Sequence, residues 1–176
     1  TELSYLKKGL SINGTLRCAL INGVDGIGKT TLLEELCQYL ITSGNHLLIS
    51  ANGQECTTAS DLLTHFTRNL ISSQSLEIND ALNSFARTVG GELLNKNNST
   101  RSVEGIEKPV GAADFFVSKL SKIIRGNEVT PVIIIEDLEL LSGETLTWLS
   151  TNFNKALRNS SQFKNCRFLF SSTKDT

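Results

Sequence analysis

Apolar positions fall into helical stripes separated by short continuous runs. Leu3, Leu6 and Leu10 recur at i, i+3 and i+7, which predicts a helix over 2–12, closed by Asn13-Gly14. Leu16 to Ile21 is strand-like and predicts a first strand over about 15–21. Leu33, Leu36 and Leu40 predict a helix over 29–42 that stops at Ser43-Gly44, and His46 to Ser50 reads as a second strand. Leu62, Leu63, Phe66, Leu70 and Ile71 form the face of a third helix, capped by Thr58 or Ser60. Ile78, Leu82, Phe85 and Val89 give a weaker helix over about 78–94, which Gly90-Gly91 kinks or ends. Ala113, Phe116, Leu120, Ile123 and Ile124 mark a helix over about 112–125. Pro131 to Ile135 is a β-branched run, the pattern of a strand buried on both faces. Ser142 caps a helix with Leu146, Leu149, Phe153 and Leu157 on one side and Trp148 at the edge of that stripe; Arg167 to Ser172 is a last strand. The stretch 95–111 is polar, contains Pro109, and predicts a mobile loop.

A length of 176 residues suits one α/β domain with a substantial core, 1–176. The formal net charge is −1, which gives no electrostatic footprint for nucleic acid. Lys7-Lys8 is the only basic doublet and reads as a solvated helix face. No apolar run is long enough to span a membrane, and no signal peptide is visible. His46 and His65 are single and unclustered, which argues against zinc. None of Cys18, Cys37, Cys56 and Cys166 forms a C-x-x-C pair; Cys18 and Cys166 lie in apolar runs and are expected as buried thiols.

Between the first strand and the second helix lies Gly23-Val24-Asp25-Gly26-Ile27-Gly28-Lys29-Thr30, which fits the phosphate-binding pattern G-x-x-x-x-G-K-[ST]. Glycines let the backbone curl so that its N–H groups converge on an anion. The helix that follows aims its positive end at the same place. Lys29 is then the residue for the β/γ-phosphates, and the Thr30 hydroxyl a ligand for Mg²⁺. The plain alternative is a glycine-rich turn with a solvated lysine; the strand before and helix after favour the phosphate loop. Such a loop goes naturally with a reducing, cytoplasmic compartment.

The strand Val132 to Ile135 ends in Glu136-Asp137 and looks like a Walker B element. A rigid buried strand delivers carboxylates to its C-terminal end, where ligands bind in open α/β sheets. One carboxylate holds Mg²⁺ and the next polarises the attacking water. Strict alternation of strand side chains leaves two exclusive registers. In the favoured one Glu136 is on the metal side and Asp137 is the base; in the other Asp137 faces the metal and Leu138 has no acid to offer.

On these residues the chain resembles the STAND class of P-loop NTPases, the NB-ARC and NACHT nucleotide-binding domains, which are related to AAA+ proteins. Glu2-Leu3-Ser4-Tyr5-Leu6 resembles the E-L-x-x-L helix before the nucleotide site, and Gly26-Ile27-Gly28-Lys29-Thr30-Thr31-Leu32 the family's G-G-I-G-K-T-T-L stretch. Phe168 to Lys174 resembles its sensor strand. Asp25 stands where that family often has glycine, and Lys174 near a common arginine. The resemblance implies a three-layer fold with helices on both faces of a mainly parallel sheet, order 5-1-4-3-2, with strand 5 missing and the sensor strand between the P-loop and Walker B strands. It also implies that Gly23, Asp25, Gly26, Ile27, Gly28, Lys29, Thr30, Thr31 and Ser172 bind ATP or ADP. Thr30 and Glu136 then serve Mg²⁺, Glu136 and Asp137 serve hydrolysis, and the full-length protein self-associates.

Three functions fit: an ATP-hydrolysing switch in signal transduction or defence, a nucleotide-binding module with negligible catalysis, and an AAA+ initiator or loader acting on DNA. Near-neutral charge weighs against the last.

Overall fold

The computed structural model of the chain describes residues 2–11, 13–72, 79–89, 110–125 and 129–173. In chain order these hold α1 (Glu2–Leu10), β1 (Cys18–Asn22), α2 (Lys29–Thr42), β2 (His46–Asn52), α3 (Ala59–Arg68), β3 (Leu70–Ser72), α4 (79–89), α5 (Val110–Ile124), β4 (Thr130–Glu136), α6 (Gly143–Trp148), α7 (Asn154–Asn159) and β5 (Arg167–Ser172). The sheet order is β1-β5-β4-β2-β3. The first four strands in that order are parallel, and β3 runs antiparallel on the edge of β2. The sensor strand β5 thus lies between the P-loop strand β1 and the acid-bearing strand β4, as the resemblance implied.

Alternation along the strands sorts the core into two layers. Val132 and Ile134 of β4, Leu48 of β2 and Leu169 of β5 pack on α1 and α2 through Leu6, Leu10, Leu33, Leu36 and Leu40. Ile133 and Ile135, with Leu47, Ile49 and Ala51, pack against the helices α3 to α7 on the other side. An aromatic cluster fills that second layer: Phe66 lies 5.4 Å from Phe153, and Phe85 meets Phe116 edge-on at 5.7 Å between ring centroids. Helix α3 starts at a capping box, in which Thr58 accepts from the Asp61 N–H and the Asp61 carboxylate accepts from the Thr58 N–H.

Several boundaries differ from the sequence reading. Leu70 and Ile71 do not extend α3: the helix ends at Arg68, and the segment turns at Asn69 to pair with Leu47, Leu48 and Ile49. The open backbone edge of β2 outweighs helical periodicity there. Trp148 is a core residue, 5% exposed, not an edge residue. A π-helical stretch, Leu149–Phe153, follows α6, and its wider turn brings Trp148 and Phe153 onto one side, stacked at 5.6 Å. Leu146 and Leu149 are left half-buried.

Cys18 is exposed, whereas Cys166 is buried as expected. The reason is its position: among the described residues β1 is an edge strand paired to β5 alone. Cys18, Phe168, Phe170, Leu146 and Leu149 line an apolar groove of about 610 Å³ instead, and Leu20 on the same side of β1 is 43% exposed. Val110 and Gly111, placed at the end of the 95–111 loop, form the first turn of α5. The rest of that stretch, and the glycines at 90–91, lie outside the described residues.

The end of the sheet opposite the P-loop is closed by Arg167 and His46. Arg167, buried at the start of β5, donates to the carbonyls of Leu10 and Gly14 and so ties down the end of α1. Buried His46 sits beside it, with Nδ1 3.2 Å from the Leu40 carbonyl. Burial, then the Arg167 charge, pushes the His46 pKa down.

Candidate functional site

Parallel strands bring their C-terminal ends to one edge of the sheet. Asn22 of β1 lies opposite Ser172 of β5, and Glu136 of β4 opposite Asn52 of β2. Four segments that are distant in sequence therefore meet there: the P-loop, the end of β5, the acid pair, and the turn after β2. The Gly23 N–H donates to the Ser172 carbonyl at 3.3 Å, which joins the phosphate loop directly to the sensor strand.

Gly26 and Gly28 are left-handed, with φ of 78° and 95°. A Cβ at either would meet nothing within 4 Å, so glycine is needed for backbone conformation, not for room. Gly28 is the N-cap of α2 and supplies no side-chain cap, which leaves the first N–H groups of the helix to other acceptors. The Lys29 ammonium folds back across the loop and donates to Gly23 O at 2.8 Å and Val24 O at 3.1 Å. Asp25, Ile27, Thr30 and Thr31 are exposed around it. Such an arrangement concentrates donors and positive charge at one spot and suits an anion.

The acid pair is divided by the end of the strand. Glu136 is the last residue of β4 and half-buried. It continues the row of Val132 and Ile134, which faces α2. Burial, then the charges of Asp137 and Glu34, raises its pKa. Reciprocally, the Cys37 thiol of α2 is pushed up to about 11, by burial and then by Glu136 and Glu34. Asp137 is no longer in the strand: its φ and ψ are 49° and 51°, left-handed, and a 3₁₀ turn over Leu138–Leu140 begins there. Strand alternation thus fixes the side of Glu136 and has no hold on Asp137. Of the two registers drawn from the sequence, alternation applies to Glu136 alone, and the direction of Asp137 is set by its own backbone angles.

Asp137 is gripped from β5 and from the turn after β2. Its N–H donates to Ser171 Oγ at 3.2 Å, and its Oδ2 accepts from Gln54 Nε2 at 3.0 Å. Gly53, the first residue after β2, packs its Cα on the Asp137 backbone; a Cβ there would lie 3.1 Å from the Glu136 carbonyl oxygen and closer still to that of Asp137. Further along, Glu139 accepts from the Thr173 N–H at 2.9 Å and from the Thr173 hydroxyl. Gly53, Gln54, Ser171 and Glu139 were not singled out from sequence. The available signal was position, because polar residues directly after a parallel strand face the ligand edge. The Lys174 position lies outside the described residues.

Among the described residues no three His, Cys, Asp or Glu side chains gather into a metal cluster. No helix among them is long and apolar enough to cross a membrane.

Comparison with known proteins agrees with this layout. A family model described as "AAA ATPase domain" matches residues 3–159. No curated protein matches the sequence. Among solved structures, the crystal structure of Cdc6p from Pyrobaculum aerophilum superposes with a TM-score of 0.54 at 14% identity, over 99% of this chain and 38% of that one. The chain therefore spans well under half of that protein, and the likeness concerns the fold. With the P-loop, the parallel sheet order and the family match in agreement, the chain belongs to the AAA ATPase domain family, an AAA+ P-loop NTPase.

Proposed function

We propose that the chain binds ATP or ADP with Mg²⁺, hydrolyses ATP slowly, and serves as a nucleotide-dependent switch in a larger cytoplasmic signalling or defence protein of the STAND type. The observation that carries the proposal is the Lys29 ammonium held over a loop with left-handed Gly26 and Gly28, beside the acid-bearing end of β4. Phosphate oxygens compete with the Gly23 and Val24 carbonyls for that ammonium. The backbone of Val24 to Thr31, Asp25 and Ile27 included, walls the path of the phosphates, and Gly23 anchors the head of the loop through its N–H on the Ser172 carbonyl.

Residues on two facing elements fit a metal. Thr30 is exposed in the first turn of α2, and Glu136 points to the α2 side of the sheet. Mg²⁺ usually takes few protein ligands and keeps waters and phosphate oxygens, so no cluster of acids is needed. When bound it would neutralise charge developing on the phosphoryl oxygens. Asp137, oriented by Gln54 and Ser171, acts as the base toward water, and Ser172 faces the terminal phosphate. The E-L-x-x-L helix packed on α2 supports the STAND reading, and self-association of the longer protein follows from it. The net charge of −1 gives no support to action on DNA.

The test is direct. Mass analysis of the purified protein identifies the retained nucleotide, expected to be ADP or ATP. Lys29→Ala removes charge-assisted hydrogen bonds worth roughly 1.5–3 kcal/mol, so ADP affinity falls about tenfold to a hundredfold. The circular dichroism spectrum stays unchanged. A folded Lys29→Ala variant that binds ADP like the parent ends the proposal. A gel shift with duplex DNA at physiological salt separates the initiator reading, which requires a shift that the switch reading does not.

A further inference from the structure

β5 lies between the two halves of the site. On one side, Gly23 at the head of the P-loop donates to the Ser172 carbonyl at 3.3 Å. On the other, Ser171 Oγ accepts from the Asp137 N–H at 3.2 Å. The next residue, Thr173, presents both its N–H (2.9 Å) and its hydroxyl to a single carboxylate oxygen, Glu139 Oε1. Glu139 stands in the 3₁₀ turn that Asp137 opens, two residues beyond that acid. A contact path therefore runs from Gly23 through Ser172 and Thr173 to Glu139, and back along the turn to Asp137.

We propose that Glu139 is a positioning residue: by clasping Thr173 it locks the end of β5 to the acid turn, and so fixes the Ser172–Thr173 end relative to both the P-loop and Asp137. The proposal rests on the nucleotide-site reading for its effect on turnover, but not for the clasp itself.

Three features distinguish this carboxylate from a solvated acid. It takes two hydrogen bonds from one residue 34 positions away in sequence. Its other oxygen, Oε2, is shielded from solvent. Burial alone would raise its pKa, yet hydrogen bonds from the Thr173 hydroxyl, the backbone and Ser172 bring it down to about 2. The connection is also economical in sequence: a 3₁₀ turn spans few residues, so a displacement at Glu139 reaches Asp137 with little slack.

The experiment has two arms. Without nucleotide, amide hydrogen exchange at Thr173 reads the clasp. Glu139→Ala is expected to speed exchange at that amide at least tenfold, while Glu139→Gln, which keeps an acceptor oxygen, restores most of the protection. With nucleotide, the arms are the ATP-over-ADP affinity ratio and the single-turnover hydrolysis rate in the parent, Glu139→Ala, Thr173→Ala and the double variant. Each single variant is expected to lower the rate or the ratio about tenfold while ADP affinity stays within about twofold, and the double variant to lose no more than either single. Multiplying losses in the double variant, a parallel fall in ADP affinity, or a Thr173 amide that exchanges at the parent rate in Glu139→Ala each overturns the proposal. If the parent protein binds no nucleotide while Glu139→Ala still releases the Thr173 amide, the nucleotide reading has failed and the clasp has survived.

Discussion

Adding one methyl group at Gly53 tests how tightly the acid pair is held. In Gly53→Ala the new Cβ would lie 3.1 Å from the Glu136 carbonyl oxygen and the Asp137 carbonyl carbon, and closer to the Asp137 oxygen. Ordinary carbon contacts sit at about 3.5–4.0 Å, so the two backbones must separate by roughly 1 Å. Neither is free to move. Asn52 is in register with Glu136 at the end of the β2–β4 ladder, its side chain accepts from the Gln54 N–H at 2.8 Å, and Gln54 in turn holds Asp137. Overpacking of this kind costs about 1–3 kcal/mol, and losing the Gln54–Asp137 bond adds about 1 kcal/mol. A total near 2–4 kcal/mol leaves a domain of ordinary stability folded and lowers its Tm by roughly 5–15 °C. The assay pairs thermal unfolding with ADP titration and single-turnover hydrolysis. Tm and the hydrolysis rate are expected to fall, with ADP affinity within about twofold, because the P-loop lies across β5 from this turn. Gly111→Ala is the control, since a Cβ there meets nothing within 4 Å in the first turn of α5; it is expected to be neutral or slightly stabilising. If Gly53→Ala melts with the parent and turns over ATP at the parent rate, the close approach is not a constraint and Asp137 is not held through it.

Asp137→Asn is expected to keep ATP affinity near the parent value and slow single turnover by about 10²–10⁴-fold, the usual contribution of a general base; an unchanged rate removes Asp137 from that role. Thr30→Ala is expected to weaken Mg²⁺-ATP about tenfold while metal-free nucleotide changes little; equal losses with and without Mg²⁺ exclude Thr30 from the metal. His46, with a folded pKa below its ordinary 6.5, makes the unfolded chain the better proton binder in mildly acid solution. Stability from this site is present above about pH 6.5 and is lost as pH falls through the folded pKa. The Arg167 charge beside it, by helping to lower the folded pKa, enlarges the total loss. Urea midpoints at pH 7.5 and 5.5 read the slope, and a folded His46→Asn variant with an undiminished slope would assign it elsewhere.

Local patterns proved most legible where one physical requirement dominates. The P-loop needs glycines in the left-handed region ahead of a helix, and Gly26, Gly28 and α2 stand where the motif put them. The β-branched run of β4 admitted only a strand buried on both faces, and its residues 131–135 are buried. Legibility failed where partners distant in sequence decide. Leu70 and Ile71 fit a helical stripe as well as a strand, and only the open edge of β2 selects the strand. Cys18 sits in an apolar run, but its burial depended on a covering layer that the described residues do not supply on that side. Trp148 moved inward because one π-helical turn shifts the phase of the stripe, a change that no period of 3.6 reveals.

The acid pair joins both cases. Glu136 was legible because it prolongs a strand: once Val132 and Ile134 face α2, the next even position faces α2 as well. Asp137 was not legible, because its direction comes from a left-handed backbone angle at the first residue past the strand. For a residue other than glycine that conformation costs about 1–2 kcal/mol. It persists because Ser171 takes the N–H, Gln54 takes the carboxylate and Gly53 closes on the carbonyl, three contacts from β5 and the turn after β2. On the proposed reading the two acids owe their separate roles to this break. A continuous strand would turn neighbouring carboxylates to opposite faces of the sheet, one of them into the aromatic layer. Ending the strand at Glu136 lets both carboxylates stay at the ligand edge, one toward α2 and the metal, the other toward Gln54 and the water it orients.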